Sequence, residues 1–277
     1  MSDLRNTCEI CPKGCRLKEG EVGYCKARYC KEGKVIPRYY GKLSSVALDP
    51  IEKKPLFYFK PGSWVLSCGS FGCNMSCYFC QNYSISQSAP ELRGSIAIEP
   101  EQLIQVAKDY RSKGNIGLAF TYNEPLVNYE FVLDCARLAR EEDLDFVLVS
   151  NGQIMPDPLE ELLPYISAWN IDLKSFTEDG YRRLGGVLEV TLHTIRRAAA
   201  TSYIEVTTLI VPGLSDSESD MKAQAKFLAE IDPDIPLHLT RYFPAYRSKT
   251  PPTPLATMYR LENIASRYMK RVRLGNV

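Results

Sequence analysis

Three cysteines, Cys73, Cys77 and Cys80, stand within Ser70-Phe71-Gly72-Cys73-Asn74-Met75-Ser76-Cys77-Tyr78-Phe79-Cys80-Gln81-Asn82. This C-x3-C-x2-C spacing puts three soft ligands on one short loop, and thiolates suit zinc and iron–sulfur clusters. A cubane of four irons takes four ligands, so three cysteines leave one iron open to something that is not protein. The alternative is a structural zinc site closed by Cys68 or a histidine, but His193 and His238 are the two histidines and lie far along the chain.

Cysteine distribution supports a metal reading for the first eighty residues: of ten cysteines, nine precede residue 81 and only Cys135 follows. Disulfides are rare in the reducing cytosol, where closely spaced thiols bind metal or do chemistry. The chain has 277 residues, a formal net charge of +1, 45% apolar and 24% charged residues. This is one large domain, or a domain with a small appendage, and the charge balance excludes electrostatic nucleic-acid binding as the main task. No apolar run reaches eighteen residues and no signal core opens the chain, so a cytoplasmic location without membrane partners is expected.

The elements that must position the thiols follow from pattern. Residues 1–60 form a Cys-rich, Gly-punctuated module, and residues 61–277 a second unit of apolar runs alternating with amphipathic stretches. Strands are expected at 64–68, 116–121, 145–150, 168–174, 203–210 and 236–241, and helices at 100–113, 126–142, 158–163, 187–200, 216–230 and 254–269. Six strand-then-helix units describe an α/β fold with a parallel sheet, either doubly wound or a partial barrel. Ligands of such sheets bind beyond the carboxyl ends of the strands. The cysteine loop follows the first strand there. Asp172 and Lys174, two apart, point to one face of the fourth strand. His238 and Thr240 share a face of the sixth, where His238 serves a cofactor or substrate or is a satisfied core histidine. Arg241 is a candidate partner for a substrate carboxylate or phosphate, with a surface salt bridge as the default. Cys135 lies on an apolar helix face as a small buried hydrophobe, and Cys30 is spare.

With Phe79 before its last cysteine, the C-x3-C-x2-C motif resembles that of the radical S-adenosylmethionine (SAM) superfamily. The resemblance implies that Cys73, Cys77 and Cys80 hold a [4Fe–4S] cluster whose fourth iron is chelated by the amino and carboxylate groups of SAM. Reductive cleavage would then give a 5′-deoxyadenosyl radical that abstracts hydrogen from a substrate. Tyr122-Asn123-Glu124 stands where the superfamily has a Gly-Gly-Glu-type segment that bonds the methionine amino group, with Tyr122 and Asn123 replacing its glycines. Ser150 and Asn151 end the third strand, and Asn170-Ile171-Asp172-Leu173-Lys174 is similar to a segment of pyruvate formate-lyase-activating enzymes that faces SAM. The cofactor set implied is therefore Tyr122, Asn123, Glu124, Ser150, Asn151, Asp172, Lys174 and His238.

Asp49-Pro50-Ile51-Glu52-Lys53-Lys54-Pro55-Leu56, Phe79 to Asn82, Thr121 to Pro125, Asn170 to Lys174 and His238 to Pro244 together resemble the AmmeMemoRadiSam-system radical enzyme. That family implies an incomplete (β/α)6 TIM-like barrel, an oxidoreductase, an electron donor such as flavodoxin or ferredoxin, and AMMECR-type and Memo-type partners. The resemblance extends to Cys8, Cys11, Cys15 and Cys25, a C-x2-C-x3-C-x9-C array. Four thiols can close around structural zinc or an auxiliary iron–sulfur cluster, with free thiols or an oxidised pair as the alternative. Relatives of that family continue past a Gly-Asn into a Cys-containing tail, whereas this sequence stops at Arg273-Leu274-Gly275-Asn276-Val277. Arg267, Lys270, Arg271 and Arg273 are expected to make the end of the last helix basic, which suits its dipole. The substrate class implied is a protein or peptide, one version being formation of a glycyl radical on a partner enzyme. The contrasting reading is a non-catalytic zinc scaffold; an electron carrier is disfavoured, since a carrier closes its cluster with four cysteines.

Overall fold

The computed structural model describes residues 5–87 and 94–277. Its centre is an eight-stranded sheet whose spatial order follows the chain. The strands are β1 (Ser45–Pro50), β2 (Trp64–Gly69), β3 (Asn115–Thr121), β4 (Asp145–Ser150), β5 (Ala168–Asp172), β6 (Tyr203–Ile210), β7 (Leu237–Arg241) and β8 (Val272–Gly275). Neighbours from β2 to β8 pair in parallel, while β1 pairs antiparallel with β2. β8 and β1 are the two edges, so the sheet curves as an unclosed α/β barrel.

Helical crossovers return the chain after each parallel strand: α1 (Pro100–Asp109), α2 (Tyr129–Glu141), α3 (Pro156–Leu162), α4 (Glu178–Arg183), α5 (Leu188–Thr201), α6 (Glu218–Ile231) and α7 (Leu255–Ala265). Local chemistry starts them. Glu99 and Gln102 form a reciprocal capping box with Pro100 in the first turn of α1, and the Thr177 and Ser217 side chains cap α4 and α6. The apolar strand faces pack under these helices, with Trp169, Phe120 and Phe146 buried. The strand face turned inward alternates with them: on β6, Thr208 meets Gln224 of α6 at 2.7 Å, whereas Thr207 and Leu209 open on the barrel interior.

The six expected parallel strands are present, and two more flank them. The strand expected over 168–174 ends at Asp172. The expected basic helix end is corrected: α7 stops at Ala265, Lys270 pairs with Asp234 at 2.7 Å, and Arg273 belongs to β8. Residues 45–50, grouped by composition with the Cys-rich module, hydrogen-bond into the barrel sheet as β1.

The amino-terminal residues fold as small antiparallel pairs, 6–7 with 16–17 and 28–31 with 34–37. They dock through Cys25, Ala27 and Tyr39, which pack on Phe71 and Val127 of the barrel. Gly72 allows the approach. Its φ is +90°, and a Cβ there would lie 2.5 Å from the Cys25 carbonyl oxygen.

Candidate functional site

A cavity of about 380 Å³ opens beyond the carboxyl ends of the strands, within the size range of small-molecule sites. Cys73, Cys77 and Cys80 line it from the loop after β2. That loop is irregular backbone, held by specific bonds. Cys73 N donates to Cys25 O at 3.3 Å and Ser76 N to Leu184 O at 2.8 Å, while Asn74 Nδ2 donates to Gln153 O at 2.8 Å. Phe79, 5% exposed, packs edge-on against Tyr242.

The next strand ends reach the same cavity, which is also lined by Thr121 to Glu124, Ser150, Asn151, Asp172 and Lys174. Most of these side chains are already committed. Glu124, 3% exposed, accepts from Leu126 N at 3.1 Å, Ser150 Oγ at 2.9 Å and Asn151 N at 2.8 Å. Burial pushes its carboxyl up to about 7, against the lowering effect of those donors. Asn123 Oδ1 accepts from Ser70 N at 2.9 Å and its Nδ2 donates to Gly72 O at 3.0 Å, so it braces the cysteine loop. Asn151 Nδ2 donates to Asn74 Oδ1 at 2.8 Å and lies 3.7 Å from Cys73 Sγ. Tyr122 Oη donates to Asp49 Oδ2 at 2.8 Å.

Two groups keep capacity toward a ligand. Lys174 Nζ meets Asp172 at 3.1 Å on the cavity wall. Asn170, 1% exposed, lines the cavity with its Oδ1 lacking a hydrogen-bond partner, although its Nδ2 bonds Pro55 O and Thr207 Oγ1. Burial tends to lower the Lys174 ammonium, but Asp172 and the nearby thiols hold it above its ordinary value. Burial pushes the Cys77 thiol up to about 11 and Cys73 well above the usual range, with Lys174 opposing both shifts. A positive charge beside thiols that must ionise to bind metal favours the metal-bound form.

His238 is not brought to this site. It shares its strand face with Thr240, which does line the cavity, but it sits 3% exposed at the amino end of β7. There Nε2 lies 2.5 Å from Glu205 Oε2. Sequence alternation identified the face and missed the depth, since one pleat repeat displaces a side chain by about 7 Å along the strand. Arg241 likewise turns away, donating to Thr253 O at 2.8 Å. Cys135 is buried in α2. Sequence reasoning passed over Asn170 as a site residue; its alternation with Asp172 along β5 was the available signal.

The donor set suits an open cluster. Three thiols on one loop face the cavity without Cys68, which is buried on β2, or any histidine lining it. Among the described residues, no group of three or more His, Cys, Asp or Glu is placed to hold a single metal ion. The amino-terminal array is a separate place: Cys8, Cys11, Cys15 and Cys25 line one small pocket with Arg28. Burial, with the neighbouring thiols, raises Cys11 to about 12. Arg28 is 4% exposed, pairs with Glu130 at 2.6 Å and leaves its Nε without a partner.

Fold and site define a partial-barrel α/β protein with a three-cysteine loop at the strand ends. The chain belongs to the Radical SAM superfamily, whose pattern residues 68–228 match; this family uses a [4Fe–4S] cluster and SAM. It is 39% identical to an uncharacterized protein of Methanocaldococcus jannaschii over 100% of this chain and 83% of that one. It is 24% identical to a pyruvate formate-lyase-activating enzyme of Clostridium pasteurianum over 58% of this chain and 67% of that protein. Streptococcus suis SuiB, solved bound to S-adenosylmethionine, shares the fold at a TM-score of 0.57 and 14% identity, over 74% of this chain and 48% of SuiB. The protein is thus a radical SAM enzyme related to glycyl-radical activating enzymes. Among the described residues, no helix is long and apolar enough to cross a membrane.

Proposed function

We propose that Cys73, Cys77 and Cys80 hold the [4Fe–4S] cluster and that SAM fills the cavity above β3 to β5. The observation that carries this reading is the convergence of three thiols and the ends of β3, β4 and β5 on one cavity with no fourth thiol. When bound, cluster and SAM supply reductive cleavage of the sulfonium carbon–sulfur bond to a 5′-deoxyadenosyl radical. The chain's residues position and shield that chemistry. Glu124 ties the ends of β3 and β4 together, Asn123 braces the cysteine loop, Asn151 lies against Cys73, and the Asp172–Lys174 pair presents charge to the cofactor. The backbone of 121–124 offers the contacts to its amino-acid end, the side chains of Tyr122, Asn123 and Glu124 being engaged.

The substrate is a protein or peptide that gives up a hydrogen, and the enzyme is of the kind that works with AMMECR-type and Memo-type partners in the cytoplasm. A flavodoxin or ferredoxin supplies the electron. The second reading, glycyl-radical formation on a partner enzyme, is favoured by similarity to the Clostridium pasteurianum activating enzyme. Cys8, Cys11, Cys15 and Cys25 form a second metal centre in the amino-terminal module, where zinc or an auxiliary cluster is held beside Arg28.

The test is anaerobic reconstitution with iron and sulfide, then dithionite and SAM, with chromatography for 5′-deoxyadenosine. Wild type is expected to form it and Cys77→Ala to form none. Formation by Cys77→Ala overturns the ligand assignment.

A further inference from the structure

Tyr122 holds a backbone conformation that a side chain resists. Its φ is +73°, in the left-handed region where a Cβ crowds the backbone and glycine alone sits freely. Such a residue persists where its surroundings over-determine it. The surroundings here come from β1 and the turn after it. Tyr122 Oη donates to Asp49 Oδ2 at 2.8 Å. Lys54 Nζ donates to the same oxygen at 2.9 Å and stands 4.8 Å from the centre of the Tyr122 ring. Lys54 is 1% and Asp49 8% exposed, and Lys53 reaches Asp49 Oδ1 at 3.1 Å. Gly69 completes the socket, since a Cβ there would lie 2.8 Å from Tyr122 Cδ2.

The other side of the residue belongs to the cavity. Tyr122 O accepts from Asn82 Nδ2 at 2.6 Å, and both residues line the space shared with the three cysteines. A buried lysine–carboxylate pair adds little net stability by itself. Its geometry instead accounts for one thing nearby, the conformation of Tyr122. Burial acts to raise the Asp49 carboxyl, yet bonds from Lys54, Tyr122 and Lys53 hold it below the usual range, while burial lowers the Lys54 ammonium against the pull of Asp49.

We propose that Asp49 and Lys54 form a latch that keeps Tyr122 in its left-handed conformation and thereby pre-sets segment 121–124 for the amino-acid end of SAM. The inference rests on the reading of that segment as part of the SAM site. Asp49 and Lys54 are positioning residues: they act on the cofactor through Tyr122. Edge strand β1, outside the family-matched residues 68–228, thus becomes a determinant of cofactor affinity.

The full-length chain, reconstituted anaerobically with iron and sulfide, is compared as wild type, Tyr122→Phe, Asp49→Asn, Tyr122→Gly, and Asp49→Asn in the Tyr122→Gly background. Two quantities are read: the Kd for SAM, and amide hydrogen exchange of residues 121–124 without SAM. In the tyrosine background, Asp49→Asn is expected to weaken SAM binding about tenfold and to speed exchange of the segment. With Tyr122→Gly the strain is gone, and the same change should alter Kd by less than about threefold. Equal losses in both backgrounds overturn the latch, because Asp49 would then act by another route. Tyr122→Phe keeps the ring and removes one bond, so it decides the matter if Asp49→Asn does not fold: unchanged exchange in Tyr122→Phe overturns the latch. Absence of SAM binding by wild type would defeat the functional reading, with the exchange measurement still deciding the latch.

Discussion

The two ends of the barrel interior are built by the same strands and both carry polar side chains, and only one end opens on a cavity. At the floor, Glu205 is 0% exposed and its carboxylate is fully engaged. It accepts from Phe57 N at 3.1 Å, Tyr58 N at 2.8 Å and Tyr203 Oη at 3.2 Å, and faces His238 at 2.5 Å. Phe57 lies against the His238 ring, and Arg273 stands 4.0 Å from the Phe57 centroid. Asn170, the register partner of Glu205 on the neighbouring strand, lines the cavity and keeps an acceptor without a partner; at the top, Lys174 meets one carboxylate and three thiols face space. Depth therefore does not mark a ligand site. An unmet group that also lines a cavity does, as Asn170 Oδ1 shows where Trp169 Nε1 and His193 Nε2, equally unpaired, line no part of that cavity.

The sharpest way to break this comparison is to remove one member at each end. Glu205→Ala strands His238 and two backbone N–H groups, and should cost about 3–5 kcal/mol in denaturant unfolding, while 5′-deoxyadenosine formation per folded molecule is retained. A loss of cleavage without a loss of stability would mean that the floor takes part in the chemistry. At the top, Lys174→Met should do the reverse. It is expected to lower kcat/KM for SAM cleavage about tenfold, or about 1.4 kcal/mol, with unfolding free energy changed by less than about 1 kcal/mol.

Glu124 offers a titration that separates the ends. Its carboxyl, raised from 4.5 to about 7, makes the folded chain hold a proton that the unfolded chain releases. Stability of the metal-free protein should fall as pH rises from about 4.5 to 7, by at most about 1.4 kcal/mol per unit. Glu124→Gln should flatten that slope in urea titrations, and an unchanged slope would place the titrating group elsewhere. The smallest effect belongs to the floor's rim: Arg273→Ala should cost about 0.5–2 kcal/mol, as loss of a stacked cation, and leave the Kd for SAM unchanged in a binding titration.

Much of this was legible in the sequence where the signal was local. The Cys73-Cys77-Cys80 spacing, the six alternating strand and helix units and the shared face of Asp172 and Lys174 rest on periodicities that a sequence carries directly. β8 escaped because Val272-Arg273-Leu274-Gly275 is short and follows basic residues that suit a helix end. β1 escaped because it precedes the first crossover and lies in a Cys-rich context. Both are edge strands, whose single neighbour leaves a weaker apolar pattern than buried strands do.

By itself the sequence determined the ligand chemistry and the order of elements: three thiols on one loop, repeated strand–helix units and four further thiols near the amino terminus. Spacing along a chain sets which side chains leave one loop or face together. Only the tertiary structure decided height and partnership. It set His238 at the floor and Thr240 at the cavity, engaged Glu124 and Asn123 within the chain, left Asn170 unmet, and brought Asp49 and Lys54 onto Tyr122. Those outcomes depend on strand stagger and on contacts between residues far apart in sequence, which periodicity does not encode.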